Sequence, residues 1–113
     1  MKHRVVITGL GVVSPIGTGI QRFWESLVTG TSGVDYVTAF DTTQFEVKIG
    51  GEVKDFNVED YMPAKEARHM DTFIQYGLAA AFQAVQDSGL KTNEALPEAE
   101  AERYGCLIGS GIG

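Results

Sequence analysis

Cysteine and histidine are scarce in this chain of 113 residues: Cys106 stands alone, and His3 and His69 are its two imidazoles. A single cysteine excludes an internal disulfide and a cysteine-rich zinc site, and two scattered histidines give no metal-ligand spacing, so no metal site is expected. No run of about 18 apolar residues occurs, which leaves no membrane-spanning helix to be made. Basic residues are in the minority, with 9 Lys and Arg against 15 Asp and Glu and a formal charge of −6. That balance excludes a nucleic-acid binder, which needs a net basic surface. The start, Met1-Lys2-His3-Arg4, lacks a signal-peptide pattern. The apolar run after it is broken by Gly9, Gly11, Ser14 and Pro15 and has no small-residue cleavage site, so a cytoplasmic location is expected.

What is present is ordinary for a globular protein, 43% apolar and 21% charged, at a length that fits one small domain or a piece of a larger one. The fourteen glycines are the unusual number. Several lie inside apparent strands, where a glycine weakens the strand unless something packs close to the backbone.

Arg4 to Val13 is nearly continuously apolar and reads as a strand buried on both faces, ended by a Ser14-Pro15-Ile16-Gly17 turn. Thr18 with Gln21 three residues later forms a capping-box pattern. Ile20, Phe23, Trp24, Leu27 and Val28 then follow helical spacing as one core-facing stripe, which Gly30 stops. Phe45 to Val53 alternates and reads as a short hairpin turning at Gly50-Gly51. Asn57 is placed to cap a short turn through Tyr61, and Pro63 to open the next helical piece. Thr72 to Ser88 predicts a helix so apolar around its circumference that it belongs inside something larger, with Gly89 as its stop. Lys91 to Arg103 is an acidic connector with a short helical turn. Tyr104 to Ile108 reads as a second apolar strand, leading into Gly109-Ser110-Gly111-Ile112-Gly113. A chain that stops on such a glycine-rich segment suggests truncation. The layout is α/β, with a right-handed crossover between parallel strands as the default.

Three places are candidates for chemistry. Gly9-Leu10-Gly11 follows a strand and precedes a helix, as a dinucleotide fingerprint does. It fails in detail: the third glycine position holds Ser14, and Pro15 removes a backbone N–H from any phosphate cradle. The alternative is that Gly9 and Gly11 let another backbone approach closely. Cys106 lies in an apolar stretch without basic neighbours and reads as a core residue rather than a reactive thiol. Lys65, Arg68 and His69 fall at i, i+3 and i+4 on one face. That face is either a solvated surface or, in an acidic chain, a docking point for an acidic partner. No acid/base pair, serine–histidine arrangement or metal constellation can be assembled from the rest.

The sequence also resembles a known family. Arg4-Val5-Val6-Ile7-Thr8-Gly9-Leu10-Gly11 and Ser14-Pro15-Ile16-Gly17 are similar to the opening of the β-ketoacyl-[acyl carrier protein] synthases, condensing enzymes of fatty-acid synthesis. Phe40-Asp41-Thr42-Thr43 and Gly51-Glu52-Val53-Lys54-Asp55-Phe56 continue the likeness. Lys65 to Gly77, with Met70-Asp71-Thr72-Phe73-Ile74-Gln75-Tyr76 within it, resembles the synthase II branch, as do Asp87-Ser88-Gly89-Leu90 and Ile108 to Gly113. The resemblance covers essentially the whole chain, and residues 1–113 would be the N-terminal portion of the family's N-terminal half, an incomplete domain.

It implies a thiolase-like fold, layered α-β-α-β-α, paired as a homodimer. It also implies a Claisen condensation between an acyl chain held on cysteine and malonyl-[acyl carrier protein]. The family's nucleophilic cysteine and its two histidines have no match in Cys106, His3 or His69 and would lie beyond residue 113. Lys65, Arg68 and His69 align with the basic helix that meets acyl carrier protein. A histidine at position 69 in place of the usual lysine would make that contact weaker and pH-dependent. Ile112 aligns with the apolar residue that gates the acyl pocket. The implied partners are acyl carrier protein and malonyl and acyl thioesters, with no cofactor. The other readings are a non-catalytic subunit resembling a chain-length factor and a nucleotide-binding α/β module.

Overall fold

The computed structural model describes residues 2–91 and 94–112. Thr92 and Asn93 of the acidic connector and Gly113 of the glycine-rich segment lie outside the described residues. In chain order the elements are β1 (Val13–Ser14), β2 (Gly17–Thr18), α1 (Ile20–Thr29), β3 (Val34–Tyr36), β4 (Ile49–Gly51), a 3-10 turn (Val58–Asp60), α2 (Ala64–Ala67), α3 (Thr72–Ser88) and α4 (Glu98–Ala101). The mixed content fits the α/β expectation.

The helices follow their local signals. α3 occupies the stretch expected, and Gly89 ends it in the left-handed region at φ 69°. Gly30 does the same for α1, its N–H closing on Leu27 O and Ser26 O. Asn57 caps the 3-10 turn through its side-chain oxygen, which accepts the Glu59 N–H. Pro63 stands at the N-cap of α2, one position ahead of the first-turn site expected for it. The helical turn in the connector is α4.

The capping box on Thr18 does not form. Gly19 is the N-cap of α1 with no side-chain bond, while Thr18 is drawn into β2 and its hydroxyl is buried without a partner. β2 pairs antiparallel with β1, so the local pairing of Thr18 with Val13 takes the residue the cap would need.

The strands depart further from expectation. Gly50 and Gly51 are not a turn: they lie in β4, which pairs antiparallel with β3 in the register Val34↔Gly51, Asp35↔Gly50, Tyr36↔Ile49. The Glu52 carboxylate secures the far end of this hairpin by accepting the N–H groups of Thr38 and Ala39 and the Thr38 hydroxyl at 2.9–3.1 Å. The parallel pairing taken as the default is not formed among the described residues, where both two-stranded sheets are antiparallel. Nor are Arg4–Val12 and Tyr104–Ile108 strands. An apolar run becomes a strand only where another strand takes its backbone bonds. Here the Leu10 N–H is given to Asp87 Oδ2 at 2.9 Å and the Val12 N–H to Gln83 Oε1 at 3.0 Å, both acceptors on α3.

Packing centres on α3. Phe56 meets Tyr76 edge-on at 4.9 Å and stacks on Tyr61 at 5.9 Å, and Tyr61 meets Phe82 edge-on at 5.8 Å. Gln83 also donates to the Tyr61 hydroxyl at 3.0 Å, so one amide ties the opening segment to this aromatic cluster. Gly9 and Gly11 lie against the α3 backbone, where a Cβ at Gly11 would overlap the Ala80 carbonyl oxygen. Only a residue without a side chain permits that approach.

Little apolar surface is enclosed. Among the described residues Ala67 and Ala79 are the buried apolar side chains. The α1 stripe expected to face a core is open, with Trp24 60% exposed, and Phe73, Ile74, Leu78 and Phe82 of α3 are each partly open. The Cα radius of gyration is 17.6 Å, against about 13 Å for a compact domain of this length. Exposed apolar area on this scale marks contact surfaces.

Candidate functional site

Two regions combine functional residue types: a basic face at the α2–α3 junction and an apolar groove along α3. The basic face begins with a four-residue helix. Ala67 turns inward and is 4% exposed, which leaves Lys65, Arg68 and His69 outward and exposed. Arg68 is the C-cap of α2, and His69 N–H bonds to Glu66 O at 3.1 Å, so the three side chains share one turn and the bend that follows it. Among the described residues none of the three forms an ion pair, although Glu66 and Asp71 lie in the same segment. The structure therefore brings together the basic residues that the sequence placed on one face.

Gln75, on the first turn of α3, lies beneath this segment. Its half-buried side-chain amide donates to Ala67 O at 3.0 Å and to Met70 O at 3.2 Å. Gln75, Ala79, Gln83 and Asp87 stand four residues apart on α3, and the three polar members make the bonds that fasten the preceding chain to this helix. Reading α3 for its apolar content alone misses them. The signal available was two glutamines and an aspartate repeating at multiples of four on a mostly apolar helix.

The groove has a volume of about 540 Å³ and is walled by Phe73, Tyr76, Leu78, Cys106, Ile108 and their neighbours. Cys106 is exposed there rather than packed in a core as expected, because the segment carrying it has no sheet to enter. Ile112 is 97% exposed and is not among the groove-lining residues.

Two carboxylates titrate below the usual range. Glu52 is held down by the N–H groups of Thr38 and Ala39, and Asp41 by the hydroxyl and N–H of Thr43. Each bond favours the charged form. Both groups serve loop geometry at the surface.

A nucleotide cradle is not built at Gly9-Leu10-Gly11. The glycines face α3, and the Leu10 and Val12 N–H groups that would meet a phosphate are already given to Asp87 and Gln83. Glycine here allows close backbone approach, the alternative drawn from the sequence.

Comparison with known proteins places the chain as a whole. Residues 2–113 match the family model of the beta-ketoacyl synthase N-terminal domain. Over 112 residues the chain is 50% identical to a 3-oxoacyl-[acyl-carrier-protein] synthase 2 of Vibrio cholerae serotype O1, covering 99% of this chain and 26% of that relative. It is 48% identical over 110 residues to a protein of the same name from Staphylococcus aureus strain COL, covering 97% of this chain and 26% of the relative. A solved structure, that of the ishigamide ketosynthase/chain length factor, superposes with a TM-score of 0.67 at 39% identity, covering 76% of this chain and 21% of that one. The chain thus spans about a quarter of the length of the curated relatives it matches. With a family model matched over nearly every residue and a ketosynthase-type fold in the superposition, this chain belongs to the beta-ketoacyl synthase family, its sequence falling in that family's N-terminal domain.

Proposed function

We propose that this sequence is the N-terminal portion of a 3-oxoacyl-[acyl carrier protein] synthase acting in fatty-acid elongation. The observation carrying the proposal is identity of about one half to proteins named as such synthases, sustained along the whole chain. In the condensation, the acyl group is held as a thioester on the family's cysteine. Loss of carbon dioxide from malonyl-[acyl carrier protein] leaves a carbanion, which attacks the acyl carbonyl, forms the carbon–carbon bond and expels the cysteine thiolate. No residue of this sequence matches that cysteine or the two histidines, so the 113-residue chain alone does not catalyse the reaction.

Its contribution is to recognition. Lys65 and Arg68 form the docking face for the acidic carrier protein, with His69 adding attraction when its imidazole is protonated. Ile112 bounds the acyl pocket. Its neighbour Gly111 gives the backbone the freedom a movable gate requires. Malonyl and acyl thioesters are the substrates, the functioning protein is a homodimer in the cytoplasm, and no cofactor takes part. Likeness to the 39%-identical ketosynthase/chain length factor supports a second reading, a subunit resembling a chain length factor that receives the carrier without being acylated.

The docking proposal is tested by binding of acyl carrier protein to the wild-type chain and to Lys65→Glu/Arg68→Glu at low ionic strength. Exposed charge pairs contribute about 0.2–1 kcal/mol each. The double reversal, which also adds repulsion, is expected to weaken binding by at least several-fold and to flatten its salt dependence. Equal affinity for both proteins would mean that the basic face is only a solvated surface.

A further inference from the structure

Gln75 belongs to no charge cluster, yet its side chain makes two bonds to the segment that carries the basic face. A helix as short as α2 does not hold its own shape in water, since nucleation costs more than four residues return. The bend after it has local bonds alone: His69 N–H to Glu66 O and Met70 N–H to Ala67 O, both at 3.1 Å. The Gln75 amide supplies the tie to the long helix. Its Nε2 has two hydrogens, and each meets one carbonyl, Ala67 O and Met70 O, the two that bracket Arg68 and His69. The opposite amide orientation would set Oε1 against two carbonyl oxygens, so the assignment of nitrogen and oxygen is fixed by chemistry. Glutamate at this position would lose both donors when ionised, and asparagine, one methylene shorter, would not span both carbonyls.

We infer that Gln75 is a positioning residue for carrier recognition: it clamps the backbone on either side of Arg68 and His69, so that the basic face is already ordered when the acidic partner arrives. The inference rests on the docking role proposed for Lys65 and Arg68. Without the clamp the same charges remain, and binding must also order the bend that bears them. Immobilising one or two such side chains and their loop corresponds to a three- to tenfold weaker affinity.

The test measures the dissociation constant of acyl carrier protein for the wild-type chain, Gln75→Met, Gln75→Asn and Lys65→Glu/Arg68→Glu across a range of salt concentrations, with melting temperatures alongside. Gln75→Met keeps length and volume but has no donor. Gln75→Asn keeps a polar amide and serves if the methionine variant does not fold. The expected result is three- to tenfold weaker binding for the Gln75 variants, with the slope of affinity against salt unchanged because no charge was removed. The double charge reversal changes that slope. Wild-type affinity in Gln75→Met or Gln75→Asn, with a lower melting temperature, would overturn the inference and leave the docking role intact. Loss of salt dependence in a Gln75 variant would also overturn it. Undiminished binding by the double reversal would remove the docking role and this inference with it.

Discussion

Replacing Gly11 with alanine tests whether α3 is the element that holds the opening of the chain. The added Cβ would overlap the Ala80 carbonyl oxygen and sit 2.9 Å from both Ala80 C and Ala84 N. Ordinary contact between such atoms is about 3.5 Å, and all three obstacles are helix backbone. The carbonyl oxygen is the nearest of them, so the segment must retreat by more than about 1 Å, enough to carry the Leu10–Asp87 and Val12–Gln83 bonds out of range from their present 2.9 and 3.0 Å. A bond to a neutral acceptor contributes about 0.5–1.5 kcal/mol and one to a carboxylate about 1.5–3. With the Asp87 bond exposed, the lower ends apply, and the loss is about 2 kcal/mol. Gly77→Ala is the paired control. That glycine lies inside α3 with nothing within 4 Å of its added Cβ, so alanine should stabilise the helix by about 0.5–1 kcal/mol. Urea unfolding followed by helical circular dichroism gives both differences, and amide exchange reads Leu10 and Val12 directly. Gly11→Ala should expose those two amides to exchange while Gly77→Ala leaves them protected. Equal protection at Leu10 and Val12 in wild type and Gly11→Ala would refute the packing of this segment on α3.

Two further outcomes follow from the same structure. The Glu52 carboxylate is held below the usual carboxylate range in the folded chain, so the bonds it makes to Thr38 and Ala39 are complete above that range and are lost as pH falls through the lowered value. Amide shifts of Thr38 and Ala39 should titrate together at a pH below that of an unperturbed glutamate, and the titration should vanish in Glu52→Gln; titration at the ordinary value would remove the assigned cause. In a synthase of family length carrying this sequence, Ile112→Phe should slow self-acylation increasingly with acyl length, each excluded methylene forfeiting about 0.8 kcal/mol; equal slowing at every length, with a lower melting temperature, would make Ile112 a packing residue instead of a gate.

Those parts of the fold that depend on neighbours in sequence were legible. α3 and its glycine stop, the glycine stop of α1 and the Asn57 cap each rest on signals within a few residues. Elements whose partners are distant were not. The apolar runs Arg4–Val13 and Tyr104–Ile108 read as buried strands, but Val5, Ile7, Leu107 and Ile108 stand largely open: strand structure needs a neighbouring strand, and the opening segment gives two of its donors to α3 side chains instead. Gly50-Gly51 suits a turn and an open strand equally, and the pairing with Val34–Tyr36, across an intervening loop, decided it. At the basic face, the spacing of Lys65, Arg68 and His69 was readable because it is helical arithmetic. Gln75 was not, because its role depends on two carbonyls contributed by another element. The whole segment from Lys65 to Gly77 nevertheless carried the family resemblance.

The most direct test of the central claim, that the Lys65–His69 face receives an acidic carrier protein, is a titration of the isotopically labelled chain with acyl carrier protein at low ionic strength, read by amide chemical shifts. The account predicts shifts concentrated in Ala64–Met70 and the first turn of α3, which decline together as salt is raised. Shifts centred elsewhere, or saturable binding that leaves Lys65, Arg68 and His69 unmoved, would contradict it.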